Sequence, residues 1–549
     1  MSFRPAGPGR PPGVRTAVRV PRWPRQLLPV LAGLVALAIV IVIVAGVWTD
    51  YLWFSSVRYG SVFGVVYGTR WALFLVGGLV MAVTTGFNAV LAYRLRPAYR
   101  PTPAQRPGVE VYRQAIDPHR RLLLGLVLGL TGLIAGVSTA GAWRTWLLFV
   151  NQVPFGKKDP QFGMDISFFV FTYPFLRLVL AYLFAAVLLS LLAAVGVHWL
   201  YGGLGWQGRR PRATMGAQAH LFVLLGVFVL LKGAAYVVDR YGIDFSQRGT
   251  VMTGASYTDV NAVLPAKTVL AVIAVLCAVL FFAGAIRRSA MLPAVGFGLL
   301  VLSAILIGGV YPAVIQQFVV KPNELSKESR FIKREIDSTR LAYGVNGVKV
   351  SPYPGVSTQS SSQLAAEVSA LPGIRQMDPA VVSEAFQQLQ QVKGFYQFPS
   401  ILSVDRYPVT GATTASPRDV VIAARGLPGP PPGQGSWFNT HLVYTHGFGV
   451  VAATADSVGV NGNPAFIESD IPPTGELTKR SGGFEPRVYF GPQETNYAIV
   501  GGPPHKPPVE LDYPDSSLPS GQQNFTYTGN GGVPVGSALN RFLYAVKFR

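Results

Sequence analysis

The sequence predicts a membrane all-α bundle of seven helices followed by an α+β, β-rich extracytoplasmic domain. Three observations predict it. Half of the 549 residues are apolar and only 13% are charged, where a soluble domain carries about 25%. The net charge of +21 is unevenly spread: residues 1–316 hold 28 Lys and Arg against 8 Asp and Glu, and residues 317–549 hold 19 against 18. Apolar runs of helical length fill the first stretch, and short strand-like runs between Pro- and Gly-rich turns fill the end of the second. The shortage of charge excludes a disordered chain, an ordinary cytosolic enzyme and a histone-like basic protein. The one cysteine, Cys277, lies in an apolar run. No intrachain disulfide, zinc ribbon or iron–sulfur spacing is therefore available.

Residues 1–26 form a basic tail with Arg4, Arg10, Arg15, Arg19, Arg22 and Arg25. Seven runs follow, each long enough to cross about 30 Å of hydrocarbon. They are Leu27–Trp48, Trp71–Tyr93, Leu122–Ala142, Phe175–His198, His220–Val238, Thr268–Ile286 and Met291–Ile315. The first reads as an uncleaved signal-anchor, because its apolar run is too long for a signal peptide and no small-residue cleavage site follows. Loops on the N-terminal side carry 18 Lys and Arg, and the opposite loops carry eight. The positive-inside rule then puts the N-terminus in the cytoplasm and residues 317–549 outside. Trp48, Trp53, Trp71, Trp143, Trp146 and Trp199 fall near run ends, as interfacial aromatics do. Ile166–Leu200 would be about 52 Å long as one helix. Pro174 is therefore read as a break, with Ile166–Tyr173 in the outer interface and Arg177 in the first turn of the span.

Beyond Ile315 the periodicity changes. Asn323 is a plausible N-cap for a polar helix reaching about Tyr343. Residues 351–363 read as a loop, and Pro379–Gln391 as a second helix. Strands are expected at Leu402–Tyr407, Asp419–Ala424, His441–Ala453, Arg487–Phe490, Tyr497–Val500 and Phe525–Thr528, separated by turns such as Leu427–Gly435 and Gly501–Pro508. Ser537–Arg549 looks like the start of a helix or strand with no terminator, which suggests a chain cut inside its outer domain.

Motifs for known chemistry are scarce. Gly203-Leu-Gly205-Trp-Gln-Gly208 matches a dinucleotide fingerprint but follows an apolar run instead of a strand. Gly447-Phe-Gly449-Val-Val-Ala452 matches GxGxxA, yet a β-like run follows where a helix is needed, so a bulge or tight turn is expected. His441 and His446 are the one close histidine pair in the sequence, and five apart on a strand they would face opposite sides, which is poor geometry for one metal. No HExxH, EF-hand, Walker A or GxSxG pattern occurs. Lys232 lies inside the fifth run. An intramembrane charge is a functional hypothesis, but its stem could snorkel to the outer end or pair with Asp239. Pro154–Phe169 and Asp239–Ala266 are the distinctive outer loops, and the second carries Asp239, Arg240, Arg248 and Asp259. Packing explains both without a ligand.

Several segments in order carry a resemblance. They are Trp48-Thr-Asp50-Tyr-Leu-Trp53-Phe, read as the first outer loop, Lys157–Phe169, Asp239-Arg-Tyr, Arg248-Gly and Gly254-Ala-Ser-Tyr-Thr-Asp259-Val. Val320-Lys-Pro-Asn-Glu324, Val404-Asp-Arg-Tyr407, Asn439-Thr-His441-Leu-Val-Tyr-Thr-His446-Gly-Phe-Gly449, Arg487-Val-Tyr-Phe-Gly491 and Leu511-Asp-Tyr-Pro514 complete the set. The chain resembles the large bacterial multi-pass membrane proteins grouped as uncharacterised protein family 0182. The resemblance implies seven spans and a large extracytoplasmic domain in a bacterial plasma membrane, and members about twice as long outside it. It transfers no catalytic or binding residue.

Three functions compete. The first is a non-enzymatic cell-envelope scaffold or assembly factor with an envelope protein partner. The second is a transporter or lipid-handling protein, with Arg177, Lys232, Asp239, Arg240, Arg248 and Asp259 at an anionic lipid or glycolipid head group. The third is an envelope hydrolase or transferase using Asp405, His441 or His446. The lipid bilayer is the expected partner in each. No catalytic set, metal, cofactor or nucleic acid is expected, because the basic loops already account for orientation.

Overall fold

A long apolar run satisfies its own backbone donors and acceptors only by coiling into a helix. In the computed structural model seven helices are long and apolar enough to cross a membrane: Pro29–Ser56, Gly60–Arg94, Tyr112–Gly141, Phe168–Leu200, Met215–Phe245, Asp259–Arg287 and Met291–Ala342. The structure describes residues 27–97, 107–207, 210–248, 252–352, 355, 358–370, 375–391, 394–408, 417–480, 482–503 and 505–548. The tail arginines and the end of the first glycine motif, Gly208, lie outside the described residues. The chain forms two compact units, Met1–Val350 with Gly532–Arg549, and Ser351–Gly531.

The first unit runs through α1 (Leu27–Ser56), α2 (Gly60–Arg94), α3 (Pro107–Ile116), α4 (Arg120–Gly141), α5 (Trp143–Val150) and α6 (Tyr173–Leu200). A hairpin of β1 (Leu204–Gln207) and β2 (Arg210–Ala213) follows, with Leu204 opposite Ala213. The Gly203 motif thus enters a hairpin strand. Next come α7 (Met215–Tyr241), α8 (Leu264–Arg287), α9 (Met291–Ile305), α10 (Tyr311–Val314) and α11 (Glu324–Ala342). Glycine lets α2 and α4 touch backbone to backbone, since a Cβ on Gly78 would lie 2.8 Å from the Gly132 oxygen. Thr139 Oγ1 donates across the same seam to Leu73 O at 2.8 Å. α7 and α8 pack through Val229, Ala274, Cys277, Ala278 and Phe281.

Four π turns punctuate the described helices of this unit: Phe168–Thr172, Asp259–Val263, Leu306–Val310 and Ile315–Val320. Pro174, Pro265, Pro312 and Pro322 stand two residues after them. Proline has no N–H to offer the carbonyl four residues back, and its ring crowds that oxygen. One wider turn before the proline relieves the crowding without ending the helix. This corrects several expectations. The fourth helix runs unbroken through Pro174. Asn323 makes no side-chain cap, because the helix reaches it already wound. The seventh apolar helix continues past Ile315 to Ala342. Trp48–Phe54, read as a loop, is the last part of α1, and Asp239–Tyr241 closes α7. Hydropathy marks where side chains stop being apolar, not where backbone bonding stops.

Pro154–Phe169 remains a loop until its last residues, and it builds itself. Asp165 accepts from the Phe155, Gly156 and Ser167 amides at 3.1, 2.9 and 2.8 Å. Asp159 accepts from the Gln161 and Phe162 amides. Bonds from Ser167, then Phe155 and Gly156, draw the Asp165 carboxyl down to about 2.

The second unit holds α12 (Ser361–Ala370), α13 (Pro379–Gln390) and α14 (Glu476–Arg480). Its main sheet is antiparallel, in the order β3 (Ser403–Pro408), β4 (Pro417–Ala424), β6 (Val450–Val458), β7 (Pro464–Ser469) and β8 (Thr474–Gly475). Val421 faces Ala453 in register, and α13 covers that face with Phe386 over Phe398, Val451 and Ala453. Two small pairs complete it: β5 (Gly447–Phe448) with β9 (Arg487–Val488), and β10 (Glu510–Pro514) with β11 (Gln522–Phe525). Gly449, at φ +82°, makes the turn between β5 and β6, as the bulge reading of that motif expects. Several strand readings are corrected. His441–Ala453 is a π turn (Asn439–Val443) and two strands, Tyr497–Val500 has no strand, and the last strand is Gln522–Phe525. α12 begins inside the stretch read as a loop. Helix α15 (Ala538–Phe548) returns the chain to the first unit.

Candidate functional site

Three helix ends in the first unit converge on Asp239. α7 places Asp239 in its last turn, α6 places Arg177 in its first, and α8 carries Lys267 just after Pro265. Arg177 pairs directly with Asp239, and Lys267 Nζ lies 3.8 Å from the other carboxylate oxygen. Lys267 interacts electrostatically with Asp239, Arg177, Lys232 and Arg248. Lys232 sits two turns back along α7 and holds its ammonium over the Tyr236 ring, 4.6 Å from the centre. Its expected pairing with Asp239 is replaced by the Arg177 and Lys267 pairs, which reach the carboxylate from facing helices. Arg248 Nε donates to Asp259 at 3.1 Å. Asp259 is buried and also accepts from Ser256 Oγ at 2.7 Å. Arg240, also a sequence candidate, has its buried Nε on no acceptor.

Two cations, Arg177 and Lys267, thus share the single carboxylate of Asp239, while Arg248 has Asp259 to itself with Glu328 close by. Half of the Arg177 side chain is exposed, while Asp239 and Lys267 are about three-quarters covered. Like charges gathered beside apolar helices repel strongly, because little water screens them.

The second unit separates its three candidates. Asp405 is exposed on β3 and accepts from the Arg406 amide at 2.8 Å. His441 stacks on Tyr497 with ring centres 3.9 Å apart, and its Nδ1 meets the Tyr497 oxygen at 2.8 Å. His446 is fully buried. Its Nδ1 meets Thr445 Oγ1 at 2.9 Å, and its Nε2 lies 3.5 Å from Asp512. Around it runs a network the sequence reading did not assemble. Arg487 donates to both Asp512 oxygens at 2.7 and 2.9 Å and covers the Phe525 ring. Glu510 accepts from Tyr489 OH at 2.7 Å and from the Tyr527 and Gly501 amides. Burial, aided by Glu510, pushes the Tyr489 phenol well above its ordinary range. Arg487, Asp512, Glu510 and Tyr489 thus bond one another, while the buried Nε2 of His446 makes no hydrogen bond.

Two further features escape the sequence. Lys267 stands one residue before an apolar run and reads as a loop cation. His198 and His220 end one run and begin the next; the intervening hairpin brings Nε2 of the first to 3.3 Å from Nδ1 of the second. Asn88 Nδ2 donates to Thr84 O, so its Oδ1 is the atom facing His220 Nε2, at 3.1 Å. The signal was their place at joined run ends. Among the described residues no group of three His, Cys, Asp or Glu is placed to hold a metal ion.

The family model described as Uncharacterised protein family (UPF0182) matches residues 27–549. A UPF0182 protein of Thermobifida fusca (strain YX) is 49% identical over 514 residues, covering 94% of this chain and 49% of the relative. A UPF0182 protein of Streptomyces coelicolor is 46% identical over 556 residues, covering 100% of this chain and 54% of the relative. One of Frankia alni is 48% identical over 504 residues, covering 91% of this chain and 48% of the relative. The chain thus spans about half the length of these relatives. No solved structure matches.

Proposed function

This chain belongs to the uncharacterised protein family UPF0182, and from that premise we propose that it is a multi-pass plasma-membrane protein that holds an anionic head group among α6, α7 and α8. The observation that carries the reading is the pair of cations, Arg177 and Lys267, held on the one carboxylate of Asp239. The loop charges support a cytoplasmic N-terminus, because Lys and Arg gather on the side of the tail. Seven crossings then leave the second unit outside, and the cluster, at the opposite helix ends from the basic loops, meets the outer leaflet. There an anionic head group replaces the missing negative charge while its acyl chains follow the exposed apolar helix faces.

Native mass spectrometry of the full chain tests it, with phosphatidylglycerol and phosphatidylcholine offered together in mild detergent. The wild type is expected to retain phosphatidylglycerol selectively. An Arg177→Gln/Lys267→Gln double variant is expected to retain it about thirtyfold less, at about 1 kcal/mol per charge. An Arg406→Gln control, in the second unit, keeps wild-type selectivity. Equal retention by the double variant and the wild type would sink the proposal.

A second reading concerns the outer unit. Its charged side chains are used on one another, as in the Arg487, Asp512 and Glu510 network, which favours a scaffold or assembly role over a hydrolase. Crosslinking the full chain in cells followed by mass spectrometry tests this. A stoichiometric envelope partner is expected, and a solitary chain removes the reading.

A further inference from the structure

Helix α15 follows the whole of the second unit yet belongs to the first. Its residues sort into two faces at the 100° step of a helix. One face, with Asn540, Leu543 and Lys547, meets α1. Trp48 Nε1 donates to Asn540 at 3.1 Å, Lys547 Nζ donates to Asp50 at 2.7 Å, and Leu543 is buried. Leu539 and Phe542, three residues apart, fall outside that face and are 59% and 53% exposed.

Both polar pins fall within Trp48–Asp50, about 3 Å of the α1 axis. At this level α1 changes character. Its Val30–Ile43 stretch exposes valine, leucine and isoleucine in every direction, whereas Trp48, Asp50, Tyr51 and Trp53 follow. Trp and Tyr gather where hydrocarbon gives way to head groups. The Lys547 charge is neutralised by Asp50, so it does not hold the helix in bulk water. Arg541 lies about 160° around the helix from Leu539 and about 100° from Phe542, on the flank that ends in Phe548. An amphipathic helix of this kind rests in the interface plane with its apolar face in the acyl boundary.

We infer that α15 is an interfacial helix, lying in the outer head-group region with Leu539 and Phe542 turned into the lipid. The inference rests on the membrane reading above. It adds that the chain returns to the bilayer after the second unit, so that unit is tied to the membrane at both of its ends. Val44 and Trp48 of α1 are exposed too, and Trp48 bonds Asn540 next to Leu539, so the helix lies against an apolar, membrane-length neighbour, which selects lipid as the occupant.

Site-directed spin labelling tests this on the full chain in phosphatidylglycerol–phosphatidylcholine nanodiscs. Cys277 is the single cysteine, so Cys277→Ala leaves a clean background. Labels go at Phe542→Cys, Arg541→Cys and Leu37→Cys, with Leu539→Cys as a second site on the apolar face. Power saturation with oxygen and a water-soluble nickel chelate reads depth. The labels at 542 and 539 are expected to favour oxygen at shallow depth, with several-fold lower nickel accessibility than at 541. The label at 37 is expected to be deep. A 542 label open to nickel, or closed to both reagents as under protein, overturns the interfacial helix while a deep label at 37 keeps the membrane reading. Water exposure at 37 overturns both.

Discussion

Arg425→Met is expected to destabilise the second unit by about 4 kcal/mol, from the loss of charge-assisted bonds to buried acceptors. The Arg425 side chain is fully buried at the end of β4. Burial pulls its pKa down to about 10, so it remains charged at neutral pH. Its Nε donates to Gln390 O at 2.6 Å, and its terminal nitrogens donate to Gln390 Oε1 at 2.9 Å and Phe448 O at 3.3 Å. It thereby ties the end of α13 to β5. Methionine fills similar volume but leaves Gln390 O and Phe448 O unpaired in the core, where each costs about 1–3 kcal/mol, while Gln390 Oε1 keeps the Asp470 amide at 2.9 Å. Hydrogen exchange on the full chain checks it. Amides of β4 and β6, such as Val421 and Val451, should lose most of their protection. Protection within about threefold of wild type, under 1 kcal/mol, would contradict the assignment. Arg425→Lys is expected to restore only part of it, because one ammonium cannot reach all three acceptors.

Arg487→Met should have a similar cost, about 3–5 kcal/mol, because it strands a buried carboxylate. It should also reverse a pH dependence. In the wild type, burial alone would raise the Asp512 carboxyl, but His446 and Arg487 together outweigh it and leave the group below the usual aspartate range. A lowered carboxyl contributes stability above its unfolded value near 3.8, and that stability is lost as pH falls through the folded value. Without Arg487 the burial effect dominates and the carboxyl rises. A raised group contributes stability below the unfolded value and loses it as pH rises through the folded one. Urea unfolding of the outer unit, read by pulse proteolysis, should therefore show the variant gaining ground on wild type between pH 7 and pH 4. A constant difference across that range would refute the pairing.

The helices were legible because seven long apolar runs leave the backbone no other way to bond, and an excess of arginine between them is visible by counting. Their ends were not. Pro174 looks like a break in the sequence, but a π turn before it lets the helix continue, as at Pro265, Pro312 and Pro322. The outer strands were partly legible. β4 announces itself by its run of Val and Ile. The His441–Ala453 reading failed because Gly449, at positive φ, ends one strand and starts another.

The site divides in the same way. Arg177, Lys232, Asp239, Arg248 and Asp259 stood out as charges in or beside apolar runs, and Arg248 with Asp259 lie close enough in sequence to be read as partners. Lys267 did not stand out, and Lys232 could either snorkel or pair with Asp239. Which cation reaches a carboxylate depends on the axial register of α6, α7 and α8, and that register is set by the packing of small residues such as Ala274 and Ala278 against Val229. The same register joins His198 to His220. The sequence by itself determined that this chain has long apolar helices, seven of them of membrane length among the described residues, with basic segments between them and short strands in the second unit, because hydrophobicity and charge are properties of each residue alone. Only the tertiary structure decided which charges are paired and which are in excess, because pairing is a distance between residues that the chain separates by 62 positions for Arg177 and Asp239 and by 497 for Asp50 and Lys547.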